Sequence, residues 1–144
     1  MNTLLVLSSS SPARKQLLER LNIPFIINSP DIDETPLAGE SVTELVTRLS
    51  LAKAQKSALL YPDALIIGCD QVGFLDGQIL GKPHTEEKAF QQLARKRGRC
   101  VTFYTGICLL DAQKQIPQVA IETYDVFLRQ YSDETIRAYL KKEQ

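Results

Sequence analysis

Tryptophan is absent from this chain, histidine and methionine occur once each, and cysteine occurs three times. Each scarcity removes a kind of chemistry. The one imidazole, His84, sits in a breaker segment beside Gly81-Lys82-Pro83 with no partner near it in sequence, so it reads as a surface-loop residue rather than part of a Ser-His-Asp or Cys-His system. Cys69, Cys100 and Cys108 are odd in number and show no C-x-x-C spacing. They read as reduced thiols rather than a disulfide framework, and with a single histidine they make no zinc site.

An excess of either charge is missing too, since 17 Lys and Arg balance 17 Asp and Glu. Any polyanion must then be held by a local cluster, and the lack of interleaved basic and aromatic residues argues against general nucleic-acid binding. No apolar run approaches the roughly 20 residues that span a bilayer, so no membrane partner is expected. Met1-Asn2-Thr3-Leu4 lacks the basic start of a signal peptide, and the expected location is the cytoplasm. Neither G-x-x-x-x-G-K-[ST] nor G-x-G-x-x-G occurs, so no familiar glycine-rich phosphate loop is present.

What is present is ordinary globular material: 144 residues, 44% hydrophobic and 24% charged, enough for one self-supporting core and too little for two. Residues Leu4 to Leu7 read as a buried strand, and Ser11 caps a helix with Pro12 at its first position and apolar residues at Leu17, Leu18, Leu21 and Ile23. Pro24 to Ile27 is a short second strand. Ser41-Val42-Thr43-Glu44 is a capping box for a helix to about Leu60, with Val42, Leu45, Val46, Leu49 and Ala52 on one face and Arg48 and Lys53 on others. Ala64 to Cys69 is a buried strand ending at Asp70, and Asp76-Gly77 turns a hairpin back through Gln78 to Leu80. Thr85 caps a helix ending near Gly98, Cys100–Leu110 and Gln118–Arg129 are long β segments, and Ser132-Asp133-Glu134 caps a last helix. The expectation is an α/β fold, a single domain over residues 1–144, with a mixed, twisted central sheet flanked by helices.

Four clusters carry chemistry. Ser8 to Ser11 lead into a helix N-terminus with Arg14 and Lys15 in its first turn, a combination of hydroxyls, free N–H groups and cations that favours phosphate. Asp33-Glu34 is an acidic pair in a loop. Asp70 stands at the carboxyl end of an apolar strand, where open α/β sheets place their ligand crevice. Lys82, fixed between Gly81 and Pro83, can reach a phosphate as a point charge. Carboxylates together with substrate phosphates suit Mg²⁺ or Mn²⁺.

These clusters, in this order, resemble the Maf family of nucleotide pyrophosphatases. The resemblance rests on Ser9-Ser10-Ser11-Pro12-Ala13-Arg14-Lys15, Asp33-Glu34-Thr35, Leu51-Ala52-Lys53-Ala54, Cys69-Asp70-Gln71-Val72, Gly81-Lys82-Pro83 and Phe103-Tyr104-Thr105-Gly106. It implies a Maf/ITPase-like fold and hydrolysis of a nucleoside triphosphate to the monophosphate and pyrophosphate with a divalent metal, Mg or Mn. By that resemblance Asp70 takes the proton of the attacking water, and Glu34 is a metal or water-orienting carboxylate, Asp70 and Glu34 together being the metal ligands. Lys82, Ser9, Ser11, Arg14, Lys15 and Lys53 hold phosphate. Asp70-Gln71-Val72 and Phe103-Tyr104-Thr105-Gly106 are similar to the branch acting on 7-methyl-GTP, which makes Gln71 a specificity residue. Ala13 is a second specificity position, where that branch carries an aromatic. An Asp-Thr-Val segment would mark the branch acting on dTTP and UTP, and those substrates are the nearest alternative; a catalytically silent nucleotide-binding or regulatory protein is another. Family members continue well past the position of Gln144, so the C-terminal part of the family fold is expected to be absent, with a sheet edge open to a homodimer.

Overall fold

The aliphatic run at the start of the chain forms β1 (Leu5–Ser8) in a computed structural model that describes residues 3–81 and 83–142. Ser11 ends the following loop as the N-cap of α1 (Pro12–Glu19), its hydroxyl accepting from the Arg14 N–H at 3.3 Å. α1 is shorter than its apolar spacing suggests. Arg20 is its C-cap and Asn22 adopts a φ of +55°, so the helical period never reaches Leu21 or Ile23. Of the four apolar positions expected to face inward, only Leu18 is buried; Leu17, Leu21 and Ile23 are exposed.

β2 (Ile26–Ile27) lies parallel to β1, and an irregular acidic loop leads to α2 (Val42–Ala58). The capping box is present in both directions: Ser41 Oγ accepts from Glu44 N–H at 3.1 Å and Glu44 Oε1 accepts from Ser41 N–H at 3.2 Å. β3 (Leu65–Leu75) is long, pairs in parallel with β1 over Leu5–Ser8, and then turns at Asp76-Gly77 into antiparallel β4 (Gln78–Leu80). Asp76 and Gly77 have φ values of +52° and +76°, as a two-residue I′ hairpin requires. α3 (Glu86–Lys96), β5 (Cys100–Asp111), β6 (Ile116–Phe127) and α4 (Asp133–Lys142) complete the described elements. The strand order is β2-β1-β3-β5-β6, with β4 on β3. The α/β class and the mixed sheet expected from the sequence are the observed ones.

Contacts group the chain into two compact units, Met1–Gln71 with Thr105–Glu122 and Val72–Tyr104 with Thr123–Gln144. In the first, α2 covers the sheet, and Val6, Ala54, Ala58, Ala64, Ile66, Cys108, Leu110 and Ala112 form its core. The small residues on α2 and the glycines beneath it let the helix backbone approach the strands closely. A Cβ on Gly68 would lie 2.1 Å from Ser50 O, and one on Gly106 would lie 2.5 Å from Val46 O. Gly106, part of the Phe-Tyr-Thr-Gly motif, is thus needed for packing. In the second unit α3 and α4 pack together, with Arg137 4.4 Å above the Phe90 ring, Arg97 paired to Asp133 at 2.6 Å, and Leu75, Val101 and Ile136 buried.

Candidate active site

Asp70 is not at the end of a strand. It lies in the middle of the eleven-residue β3, but β1 stops pairing at Ser8 opposite Gly68, two residues earlier. Beyond Gly68, β3 therefore runs on without β1 beside it, and Asp70 stands past the carboxyl end of the neighbouring strand, the side on which open α/β sheets bind ligands. Asp70 is only 5% exposed. Its Oδ1 accepts from Lys53 Nζ at 3.0 Å, whereas its Oδ2 is buried with no hydrogen-bond partner. A buried carboxylate oxygen left without a donor is costly, and such an atom marks a place for a ligand or water to bind.

Lys53 is the hub. Its ammonium reaches Asp70 Oδ1, Glu34 Oε1 at 3.2 Å and the Cys69 carbonyl at 3.2 Å, and its side chain is 13% exposed. The helical pattern puts it off the apolar face of α2, yet its long stem carries the charge back to β3. Glu34 comes from the acidic loop, so the two carboxylates expected to act together do share one cation. Arg14 approaches from the first turn of α1, with Nη1 donating to the Cys69 carbonyl at 3.2 Å and to Ser9 Oγ at 3.3 Å. One backbone carbonyl thus gathers Arg14 and Lys53 beside Asp70. Burial pushes the Cys69 thiol up, against the opposing pull of Arg14 and Lys53, so it remains a protonated thiol and no nucleophile.

The serines divide their work. Ser9 Oγ receives Arg14 and the Ser11 N–H at 3.1 Å, Ser11 caps α1, and Ser8 turns away toward α2. Lys15 extends along the exposed side of α1 toward Glu19 at 3.9 Å and is not drawn into the cluster around Asp70. Gln71 is exposed, its Nε2 donating to Thr105 Oγ1 at 3.2 Å, and Ala13 is exposed on α1. Lys82 lies outside the described residues. Among the described residues no three His, Cys, Asp or Glu side chains form a ready-made metal cage.

The acidic loop is tied to α2 by residues that the sequence did not single out. Arg48 grips Glu40 with two bonds, Nε to Oε2 at 2.7 Å and Nη2 to Oε1 at 3.0 Å, and Nη2 also donates to the Thr35 carbonyl at 3.1 Å. Lys56 Nζ reaches the Asp31 carbonyl at 2.5 Å. The available signal was spacing: Arg48, Lys53 and Lys56 are the cations of one helix facing one acidic segment. The Arg48 guanidinium, followed by the Leu37 N–H, holds the Glu40 carboxyl below its ordinary value. A lowered folded value means that the clamp contributes fully above the ordinary carboxyl range and is lost as pH falls through the lowered one. In Glu40→Gln, hydrogen exchange at the Leu37 amide, which donates to Glu40 Oε1 at 3.0 Å, is expected to be about tenfold faster than wild type at neutral pH. The two proteins should converge as acid protonates Glu40; equal exchange at pH 7 would show that the clamp holds nothing.

Residues 4–144 match the protein family described as Maf-like protein. A 7-methyl-GTP pyrophosphatase of Pseudomonas aeruginosa is 52% identical over 139 residues, which is 96% of this chain and 72% of that protein. A 7-methyl-GTP pyrophosphatase of Methylobacillus flagellatus is 49% identical over 140 residues, 97% of this chain and 73% of that protein. Among solved structures, a crystal structure of a Vibrio cholerae protein covers 99% of this chain and 74% of its own at 10% identity and a TM-score of 0.49.

Proposed function

The chain belongs to the Maf family, and from that premise we propose that it hydrolyses 7-methyl-GTP to the monophosphate and pyrophosphate with Asp70 as general base. The observation that carries the assignment of the base is the unequal state of its two oxygens. Lys53 holds Oδ1, which fixes the carboxylate plane, and Oδ2 is left to take a proton. In the reaction proposed, Oδ2 accepts a proton from water, the water oxygen bonds to the α-phosphorus, and the bond to the β-bridging oxygen breaks as pyrophosphate leaves. Reaction at phosphorus asks mainly for positioning and for cations against the developing charge. Arg14 and the N-terminus of α1 supply these from one side, Ser9 holding the guanidinium in place, and Lys82 is assigned to the same task. Lys15, turned toward Glu19, is left with a long-range contribution to the local potential.

The donor set fits a magnesium or manganese ion. Such an ion is normally held by one or two carboxylates with water and substrate phosphates, and Glu34 and Asp70, side by side on Lys53, would provide the carboxylates. When bound, the ion would add Lewis-acid polarisation of the phosphate oxygens. Gln71, held by Thr105, is assigned to the base edge, and Ala13, exposed on α1 and without an aromatic ring to stack on a base, is assigned as the second specificity position. The proposed location is the cytoplasm, where a nucleoside triphosphate substrate would be met. β6, exposed along most of its length at the edge of the sheet, is the strand proposed to pair with a second copy, which light scattering at high concentration reads directly.

The test is a panel of 7-methyl-GTP, GTP, dTTP and UTP with Mg²⁺ or Mn²⁺, with pyrophosphate and orthophosphate measured separately. Pyrophosphate from 7-methyl-GTP, with kcat/KM roughly tenfold or more above GTP, is the expected result. Orthophosphate would mean attack at the wrong phosphorus, and preference for dTTP or UTP would reassign the branch. Binding without turnover of any nucleotide would make the chain a silent binder.

A further inference from the structure

Ser8 and Ser57 have no solvent exposure, yet neither takes part in the chemistry above. Their hydroxyls are 2.7 Å apart, Ser8 Oγ donates to the Lys53 carbonyl at 2.8 Å, and Ser57 Oγ is 2.8 Å from the Asn28 side-chain amide at the end placed as Oδ1. Three contacts need three hydrogens, and two hydroxyls supply two. The Lys53 carbonyl has no hydrogen, so Ser8 donates to it. Ser8 then has none left, so Ser57 donates to Ser8. The third hydrogen must come from Asn28, and only the amide nitrogen carries one. The Asn28 side-chain amide, whose two ends exchange places by a half turn about Cβ–Cγ, therefore presents Nδ2 to Ser57. The count gives a chain of one direction: Asn28 Nδ2–H to Ser57, Ser57 to Ser8, Ser8 to the Lys53 carbonyl.

The chain joins three elements at one residue. Asn28 follows β2 and is itself pinned by its backbone N–H to the Leu7 carbonyl at 3.0 Å, Ser8 ends β1, and Ser57 is one turn beyond Lys53 on α2. The residue it secures is the one whose ammonium must meet Asp70, Glu34 and the Cys69 carbonyl at once. We infer that Asn28, Ser57 and Ser8 are positioning residues, which hold the Lys53 turn of α2 so that the ammonium bridges Asp70 and Glu34. The inference rests on the reading of Asp70 and Lys53 given under the proposed function. A directed set of buried hydrogen bonds suits this task because it tolerates only one arrangement; losing one link leaves another buried group unpaired.

The experiment has two arms. In the first, side-chain NMR of the protein without nucleotide follows the Asn28 Nδ2 and Lys53 Nζ resonances. The Asn28 Nδ2 protons are expected to be protected from exchange in wild type and to lose protection in Ser57→Ala, with the Lys53 Nζ resonance shifted. Unprotected Asn28 protons in wild type would reverse the chain and overturn the inference, whether or not the protein turns over substrate. The second arm measures pyrophosphate release. Ser57→Ala and Asn28→Ala, the latter at a half-buried site that spares the fold, should each lower kcat about tenfold and leave KM within about twofold. Neither should lower kcat further in a Lys53→Met background, which a general loss of packing would still do. Unchanged kcat, or an undiminished loss without Lys53, would overturn it. Wild-type protein that releases no pyrophosphate would instead count against the proposed reaction, with the first arm still deciding the chain.

Discussion

Gly68→Ala is expected to melt roughly 6–12 °C below wild type, corresponding to about 3 kcal/mol for a chain of this size. The added methyl would meet Ser50 O at 2.1 Å and Ala54 N at 2.9 Å. Both are backbone atoms of α2, so no side-chain rotation relieves the clash, and either the helix lifts or β3 is pushed aside. Overpacking that side chains can absorb costs about 1–3 kcal/mol, and a clash with rigid helix backbone belongs at or beyond the top of that range. The lift also reaches the site, because Lys53 is on the helix displaced and Asp70 is two residues along the strand. Activity should therefore fall with stability, and the surviving folded protein should show weaker coupling between Asp70 and Lys53. Gly81→Ala is the matching control, since its Cβ meets nothing within 4 Å, and its melt should be unchanged. A Gly68→Ala protein that melts with wild type would mean that α2 does not rest on β3 as described.

The reasons for that close packing explain how far the sequence could be read. Local signals were reliable where the cause is local. Ser11 and Ser41 caps, the Asp76-Gly77 turn and the aliphatic runs of β1 and β3 each depend on a few adjacent residues, and each is where it was expected. The inward face of α1 was misjudged because periodicity does not say where a helix stops; Asn22 in the left-handed region ends the pattern before Leu21. Asp70 was placed at a strand end, whereas it is β1 that ends beside it, a fact about the neighbour rather than about β3. Gly68 and Gly106 looked like ordinary strand residues and motif punctuation, because close approach of a helix is invisible until the helix is docked.

The site followed the same division. Residue types that bring charge to one place, Glu34, Lys53, Asp70 and Arg14, were legible, and the structure gathers all four within one unit. What holds them was not. Glu40 and Arg48 are an ordinary acid and base of a charged loop and helix until they are seen to clasp each other. Ser57 carried a fainter sign, a polar residue on the buried face of α2, which is the side where a hydroxyl must find partners. Ser8 was read with its neighbours as a phosphate serine, but alternation along β1 turns it to the opposite side from Ser9.

Asp70→Asn is expected to lower kcat by about 10²–10⁴ while nucleotide binding and the melting temperature stay near wild type, the range that loss of a general base produces. The substitution is isosteric. An Asn side chain keeps an oxygen for the Lys53 ammonium, and Lys53 retains Glu34 and the Cys69 carbonyl, so the turn of α2 and the acidic loop keep their ties. What disappears is the second carboxylate oxygen, the buried Oδ2 that has no partner and is free to receive a proton. Lys53→Met separates fixing the base from being the base. It leaves both carboxylates in place without their shared cation, so the base survives but loses the contact that orients it, and a smaller loss of kcat, about 10-fold to 100-fold, is expected with Asp70 still essential. The double variant should then be no slower than Asp70→Asn alone, because orientation has no value once the acceptor is gone. Pyrophosphate release with a single-turnover excess of enzyme measures all three. If Asp70→Asn kept more than about a tenth of wild-type kcat, the free oxygen would have to be assigned a role in binding, and the base sought elsewhere, with Glu34 the next carboxylate on Lys53.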